Sequence, residues 1–147
     1  MKNNYSVKLH HIAYVVGNID KSIEFYTMFG FEKVRFWRST DEKNSIVHLL
    51  NSQSILIELF SFHDVSCQEE KSINIQKRLK RGGINHMAFE VENINECRER
   101  MISDGLIDDC TPINEGRTGI LYLFIKDPDG NLIEIVQDDR KTFQEKA

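Results

Sequence analysis

HIAYVVGNID at residues 11–20 lies over HMAFEVENIN at residues 86–95, with identity at the His, Ala, Val, Asn and Ile positions. The register then holds: Glu24 falls over Glu99 and Gly30 over Gly105, an offset of 75 throughout. Further along, LIELF at 56–60 matches LIEIV at 132–136 at an offset of 76, so a single inserted residue separates the two registers. Self-similarity at a fixed spacing marks a repeated structural unit. With two copies and a spacing longer than the usual solenoid repeats, it points to a duplicated half-domain rather than an array.

Local signals agree within each copy. Residues 9–16 are rich in β-branched and aromatic side chains and predict a strand. Asn18 to Asp20 supplies capping side chains, Lys21 to Phe29 continues as a helix, and Gly30 stops it. In the second copy Asn93 or Asn95 caps a helix over Glu96 to Ser103 that stops at Gly105. Strands follow at 33–37, 45–50 and 54–60, and again at 110–113, 120–126 and 131–137. The last two flank Asp127-Pro-Asp-Gly130, a composition suited to a type I turn. Each half therefore reads β-α-β-β-β, an α+β fold. One domain over 1–147 would comprise modules 8–62 and 82–137, a helical linker over 63–81 and a polar tail over 138–147. Within the linker, 68–81 predicts an amphipathic helix with Ile73, Ile75 and Leu79 inward, ending at Gly82-Gly83. Its basic cluster, Lys77 to Arg81, reads first as a solvated helix end where cations suit the dipole, and second as a grip on a phosphate-bearing substrate tail.

At 147 residues, 40% hydrophobic and 29% charged, the chain is long enough for a proper core; a domain of this size buries about 70% of the surface its unfolded chain exposes. A net charge of −4 and a pI near 5.7 argue against nucleic acid or an anionic membrane surface and make small molecules the expected partners. Ile120 to Ile125, among the longest apolar runs, falls far short of the roughly 18 residues a membrane span needs. Three cysteines, at 67, 97 and 110, form no C-x-x-C pair, so neither a disulfide framework nor a zinc knuckle is expected and a reducing cytoplasm fits.

The repeat also selects the chemistry. His11 and His86 open the two copies, and Glu58 and Glu134 stand near their ends, 47 and 48 residues on. On period-2 geometry Glu58 shares a face with Leu56 and Phe60, and Glu134 with Leu132 and Val136. A carboxylate on an apolar face is costly unless paired, hydrogen-bonded or metal-bound. Two imidazoles and two carboxylates make a competent ligand set for a divalent transition metal, so His11, Glu58, His86 and Glu134 are the expected metal ligands. His10, His48 and His63 have no counterpart in the other copy and are expected as surface or packing residues.

HIAYVV with Phe25-Tyr26, HMAFEV, and above all DPDGNLIEIVQ at 127–137 resemble the vicinal oxygen chelate superfamily, which includes glyoxalase I, methylmalonyl-CoA epimerase, fosfomycin-resistance enzymes and extradiol dioxygenases. The resemblance covers residues 8–137. It implies two modules whose sheets form an incomplete barrel around a divalent metal, and its ligand positions fall on His11, Glu58, His86 and Glu134. A full His-Glu-His-Glu set is similar to glyoxalase I. The stretch GGINHMAFEVENIN at 82–95 also resembles methylmalonyl-CoA epimerases, which usually carry Gln where Glu58 stands. Val15 occupies the first-strand position where bacterial glyoxalases I place an arginine for the glutathione carboxylate.

The expected activity is that of a glyoxalase I-like lyase or isomerase: proton transfer in a hemithioacetal of a 2-oxoaldehyde through a metal-bound enediolate, with Ni, Zn, Co or Mn as Lewis acid. Glu58 or Glu134 would be the base, Glu134 being favoured. Arg38, Arg117 and Lys126 are candidates for orienting a substrate carboxylate or phosphate. The alternatives are an acyl-CoA epimerase and a non-catalytic protein that sequesters a drug or metabolite. The resemblance further implies a homodimer.

Overall fold

The asparagine that follows the first strand of each repeat starts a helix. In the computed structural model, which describes residues 5, 7–64, 74–80 and 82–140, helix α1 runs over Ile19–Thr27. The Asn18 side chain accepts the Lys21 N–H at 3.0 Å there. The corresponding helix of the second copy runs over Ile94–Ser103, where Asn93 accepts the N–H groups of Asn95 and Glu96 at 3.1 and 3.2 Å. Both helices begin two residues before the expected starts, because the caps are Asn18 and Asn93 rather than the polar residues after them. Both stop at a glycine in the left-handed region, Gly30 at φ 78° and Gly105 at φ 72°, a conformation that costs a Cβ-bearing residue more than glycine.

Around α1 the first half builds β1 (Ile12–Val15), β2 (Glu32–Arg38), β3 (Ser45–Leu50) and β4 (Leu56–Ser61), in the sheet order β1-β4-β3-β2. Strands β1 and β4 are parallel; β4 with β3 and β3 with β2 are antiparallel. The second half begins with the short helix α2 (Ile75–Arg78), then β5 (His86–Glu90), α3 (Ile94–Ser103), β6 (Asn114–Glu115), β7 (Leu121–Lys126) and β8 (Leu132–Gln137). Its sheet repeats the order, β5-β8-β7-β6, with β5 and β8 parallel. The chain divides into two compact units, residues 1–70 and 71–147.

Each sheet has one face against its helix. Val47, Leu49, Ile57 and Leu59 are fully buried on the face that α1 covers with Phe25 and Tyr26. In the second half Leu123, Ile125, Ile133 and Ile135 do the same beneath Ile94 and Met101. Burying each such side chain contributes about 1.5–3 kcal/mol, which holds helix to sheet. The Gln137 side-chain Oε1 also accepts the Ile94 N–H at 2.9 Å, tying the end of β8 to the start of α3.

Two expectations shift. The strand expected at 110–113 is instead β6 at Asn114–Glu115. Pro112 has no N–H for a ladder, and Arg98 of α3 donates to the carbonyls of Thr111 (2.8 Å) and Asp109, taking acceptors a strand would need. In the linker, the described helix is four residues long, capped by Asn74; residues 68–73 and 81 of the expected helix lie outside the described residues, as do 141–147 of the tail. Among the described residues no helix is long and apolar enough to cross a membrane.

Candidate functional site

The face of each sheet away from its helix carries the repeated acids. Register puts Glu58 between Ala13 of β1 and His48 of β3, and Glu134 between Ala88 of β5 and Phe124 of β7. His86 pairs with Leu132, so it stands one diagonal step from Glu134 on the same face. His11, one residue before the first paired position Ile12↔Ile57, holds the matching place beside Glu58. The distances repeat too: His11 Nε2 to Glu58 Oε2 is 3.3 Å, and His86 Nε2 to Glu134 Oε2 is 3.2 Å. The two carboxylates are 17% and 13% exposed, shielded enough to need a partner for the charge.

The other ring nitrogen of each histidine meets the residue just before it. His11 Nδ1 lies 2.8 Å from His10 Nδ1, and His86 Nδ1 lies 3.1 Å from Asn85 Oδ1. In the second half this contact fixes a tautomer. Asn85 Nδ2 donates to the Arg78 carbonyl at 3.0 Å, so the amide oxygen is the atom that faces His86. An oxygen can only accept, so His86 Nδ1 carries the hydrogen. In the neutral ring Nε2 then presents a lone pair to a carboxylate oxygen. Two acceptors 3.2 Å apart repel unless something positive stands between them. Pinning Nδ1–H on a neighbouring oxygen is also how metal-ligating imidazoles are oriented.

The spacing suits a cation. Two donors each about 2.0–2.2 Å from one metal ion stand roughly 2.8–3.6 Å apart for angles from square to tetrahedral. Both His-Glu pairs lie within that range. Each half offers one nitrogen and one oxygen, two short of four. Among the described residues no group of three or more His, Cys, Asp or Glu side chains suited to a metal ion is assembled.

His48 does more than the expected surface or packing residue, while His10 is exposed, as expected, and meets His11. His48 Nε2 lies 2.8 Å from Glu58 Oε1, the carboxylate oxygen that His11 does not face. His10 backs His11. His63 is exposed in a turn, as expected. The three candidate cations separate. Arg38 stands across from Ser45, on the sheet face opposite Glu58, where its Nε donates to Ser45 Oγ at 3.3 Å and its guanidinium lies 5.2 Å from the Phe36 ring. Arg117 is exposed in a turn. Lys126 pairs with Leu132 and so shares the face of His86 and Glu134. Arg35, which was not anticipated, stands directly across from His48.

Comparison with known proteins agrees with the duplicated architecture. The sequence model of the Glyoxalase/Bleomycin resistance protein/Dioxygenase superfamily matches residues 8–135. The chain is 31% identical over 137 residues to a protein of Vibrio cholerae named "Probable lactoylglutathione lyase", covering 89% of this chain and 91% of that one. It is 28% identical to lactoylglutathione lyase of Arabidopsis thaliana, over 86% of this chain but 43% of that longer protein. Among solved structures, a glyoxalase family protein from Enterococcus faecalis superposes with a TM-score of 0.71 at 25% identity, over 88% of this chain and 96% of that chain. The trypanothione-dependent glyoxalase I of Leishmania major superposes at 0.64 with 28% identity, over 96% and 92%. A matched model over nearly the whole duplicated region, with the same fold in solved relatives, makes the chain a member of the glyoxalase/bleomycin resistance protein/dioxygenase superfamily.

Proposed function

We propose that this protein is a metal-dependent glyoxalase I-like lyase or isomerase that moves a proton between adjacent carbons of a hemithioacetal formed from a 2-oxoaldehyde and a thiol. The observation that carries the reading is the twice-built His-Glu pair, in particular His86 Nε2 facing Glu134 Oε2 at 3.2 Å with Nδ1 held by Asn85. His11, Glu58, His86 and Glu134 would be the residues that hold a divalent ion of the Ni, Zn, Co or Mn group. When bound, that ion supplies Lewis acidity toward the vicinal oxygens of the substrate.

The chain's own residues do the rest. Asn85 and His10 hold the imidazoles in place. Glu134 takes the proton from the carbon bearing the hydroxyl and returns it to the neighbouring carbon, and its low exposure keeps bulk water from exchanging that proton freely. Glu58 remains a ligand. Lys126, on the face of Glu134, suits a carboxylate of the thiol portion. The names of the Vibrio and Arabidopsis relatives support the reaction class.

The test is turnover of methylglyoxal hemithioacetals made with glutathione and with bacillithiol, with methylmalonyl-CoA exchange in parallel, on metal-stripped and reloaded protein. Activity should vanish on stripping and return on reloading. Glu134→Gln should lower kcat by about 10²–10⁴-fold, the usual contribution of a positioned base. Full turnover by stripped protein overturns the reading, as does undiminished turnover by Glu134→Gln. Stoichiometric ligand binding without turnover, unchanged by stripping, assigns the protein to sequestration instead.

A further inference from the structure

The two half-sites match at the histidine and the acid but differ across the strand from each acid. In the first half the partner of Glu58 is His48, whose Nε2 lies 2.8 Å from Oε1. In the second half the same register position opposite Glu134 holds Phe124, which has no hydrogen-bonding group and meets the His86 ring edge to face at 5.3 Å. One acid is thus gripped on both sides, Oε2 beside His11 and Oε1 beside His48.

We infer that His48 is a positioning residue that fixes the Glu58 carboxylate, making it the permanent ligand of the pair and leaving Glu134 as the carboxylate able to reorient. The inference rests on the metal-dependent reading above and adds a division of labour between two acids the repeat makes otherwise alike. Nε2–H of His48 donates to Oε1, so that oxygen is occupied and Glu58 presents a single oxygen on the His11 side. A glutamate has three side-chain torsions to order, and a hydrogen bond that orders them beforehand spares that entropy when the ion arrives. His48 is well placed to hold its own geometry: it lies within β3, flanked on the same face by Ile46 and Leu50 and 26% exposed. Because it engages the oxygen that His11 does not face, its role is to orient the acid rather than to serve as a second imidazole donor.

The repeat supplies the control substitution. His48→Phe installs in the first half what the second half already carries at Phe124, and His48→Gln restores an N–H at similar reach without a good metal donor. In the full chain, affinity for Zn²⁺ is read by competition with a chromophoric chelator, with thermal unfolding in parallel. His48→Phe should bind Zn²⁺ about 10–100-fold more weakly, the usual cost of losing an orienting partner. His48→Gln should recover most of that loss, and His48→Phe should cost nothing further on a Glu58→Ala background, which has no side-chain oxygen left to orient. The inference is overturned if His48→Phe binds as tightly as the parent. It is equally overturned if His48→Gln is as weak as His48→Phe, or if the loss persists when Glu58 is already Ala. Should His48→Phe fail to fold, His48→Ala against His48→Gln makes the same comparison. Parent protein that takes up no Zn²⁺, or that is indifferent to Glu58→Ala, refutes the metal reading itself and the inference with it.

Discussion

Asp127 is a carboxylate whose removal should unfasten the second half. It is 4% exposed, at the first position of the turn joining β7 to β8. Its Oδ1 accepts the backbone N–H groups of Asp129 (2.9 Å) and Asn131 (2.8 Å), and its Oδ2 accepts Asn131 Nδ2 at 2.9 Å. The Gly130 N–H to the Asp127 carbonyl closes the turn at 3.0 Å. Hydrogen bonds to a charged acceptor contribute about 1.5–3 kcal/mol each. Three of them, less the desolvation cost that vanishes with the carboxylate and the water that reaches Asn131, give Asp127→Ala a loss of about 3–4 kcal/mol. Asp127→Asn keeps an oxygen for the two backbone donors and should lose about 1–2 kcal/mol. Urea unfolding followed by far-UV circular dichroism reads both. At an m-value of about 2 kcal/mol/M the alanine midpoint falls by about 1.5–2 M. The stake for the site is register. The turn fixes Phe124 opposite Glu134, and a one-residue slip of β8 would send Glu134 to the face under α3. An alanine variant within about 1 kcal/mol of the parent, or an asparagine variant as damaged as the alanine one, refutes this account of the turn.

The helix caps should differ in weight. Asn93 accepts two backbone N–H groups and donates to Glu96 Oε1, whereas among the described residues the Asn18 side chain accepts the Lys21 N–H only, so Asn93→Ala should cost about 1–2 kcal/mol and Asn18→Ala about 1 kcal/mol, with thermal melts as the check and the reverse order as the contradiction. Near the end of β8, the Arg140 guanidinium holds the Asp138 carboxyl down to about 2. A depressed folded pKa means that this pair's stabilisation is complete above the unfolded value near 3.9 and is lost as pH falls toward about 2. Carboxyl ¹³C titration should therefore find the Asp138 midpoint near 2 in the parent and higher in Arg140→Ala, though still below the ordinary aspartate range because the backbone N–H of residue 140 continues to donate to Oδ1; an unchanged midpoint in the variant would show that the guanidinium is not the main cause.

Elements that rest on local chemistry were legible in the sequence. Asn18, Gly30, Asn93 and Gly105 bound the helices, and Asp127 to Gly130 marks the hairpin. The half-domain order follows from the repeat alone. What escaped depends on pairing. Symmetry hides His48, because Phe124 occupies its place in the second copy. The signal that finds it is the hairpin count: Asn51, whose side chain accepts the N–H groups of Gln53 and Ile55, sets Leu50 opposite Leu56 and therefore His48 opposite Glu58. Strand β6 lies later than local propensity predicts because Arg98, a helix residue, claims the carbonyls before it, a long-range contact that no local propensity encodes. The charge of Arg38 suits an anion, but register turns it to the face away from Glu58.

The parallel pairing of β1 with β4, and of β5 with β8, also fixes when a half-site can come into being. First and last strands are neighbours, so the histidine and glutamate of each pair meet only after the whole intervening stretch has folded between them. During synthesis on the ribosome the first pair cannot close until β4 has emerged, and such long-range contacts are the slow part of folding. Contact within either pair therefore reports completion of that half, and a nascent or truncated chain lacking its last strand carries a histidine with no acid to meet.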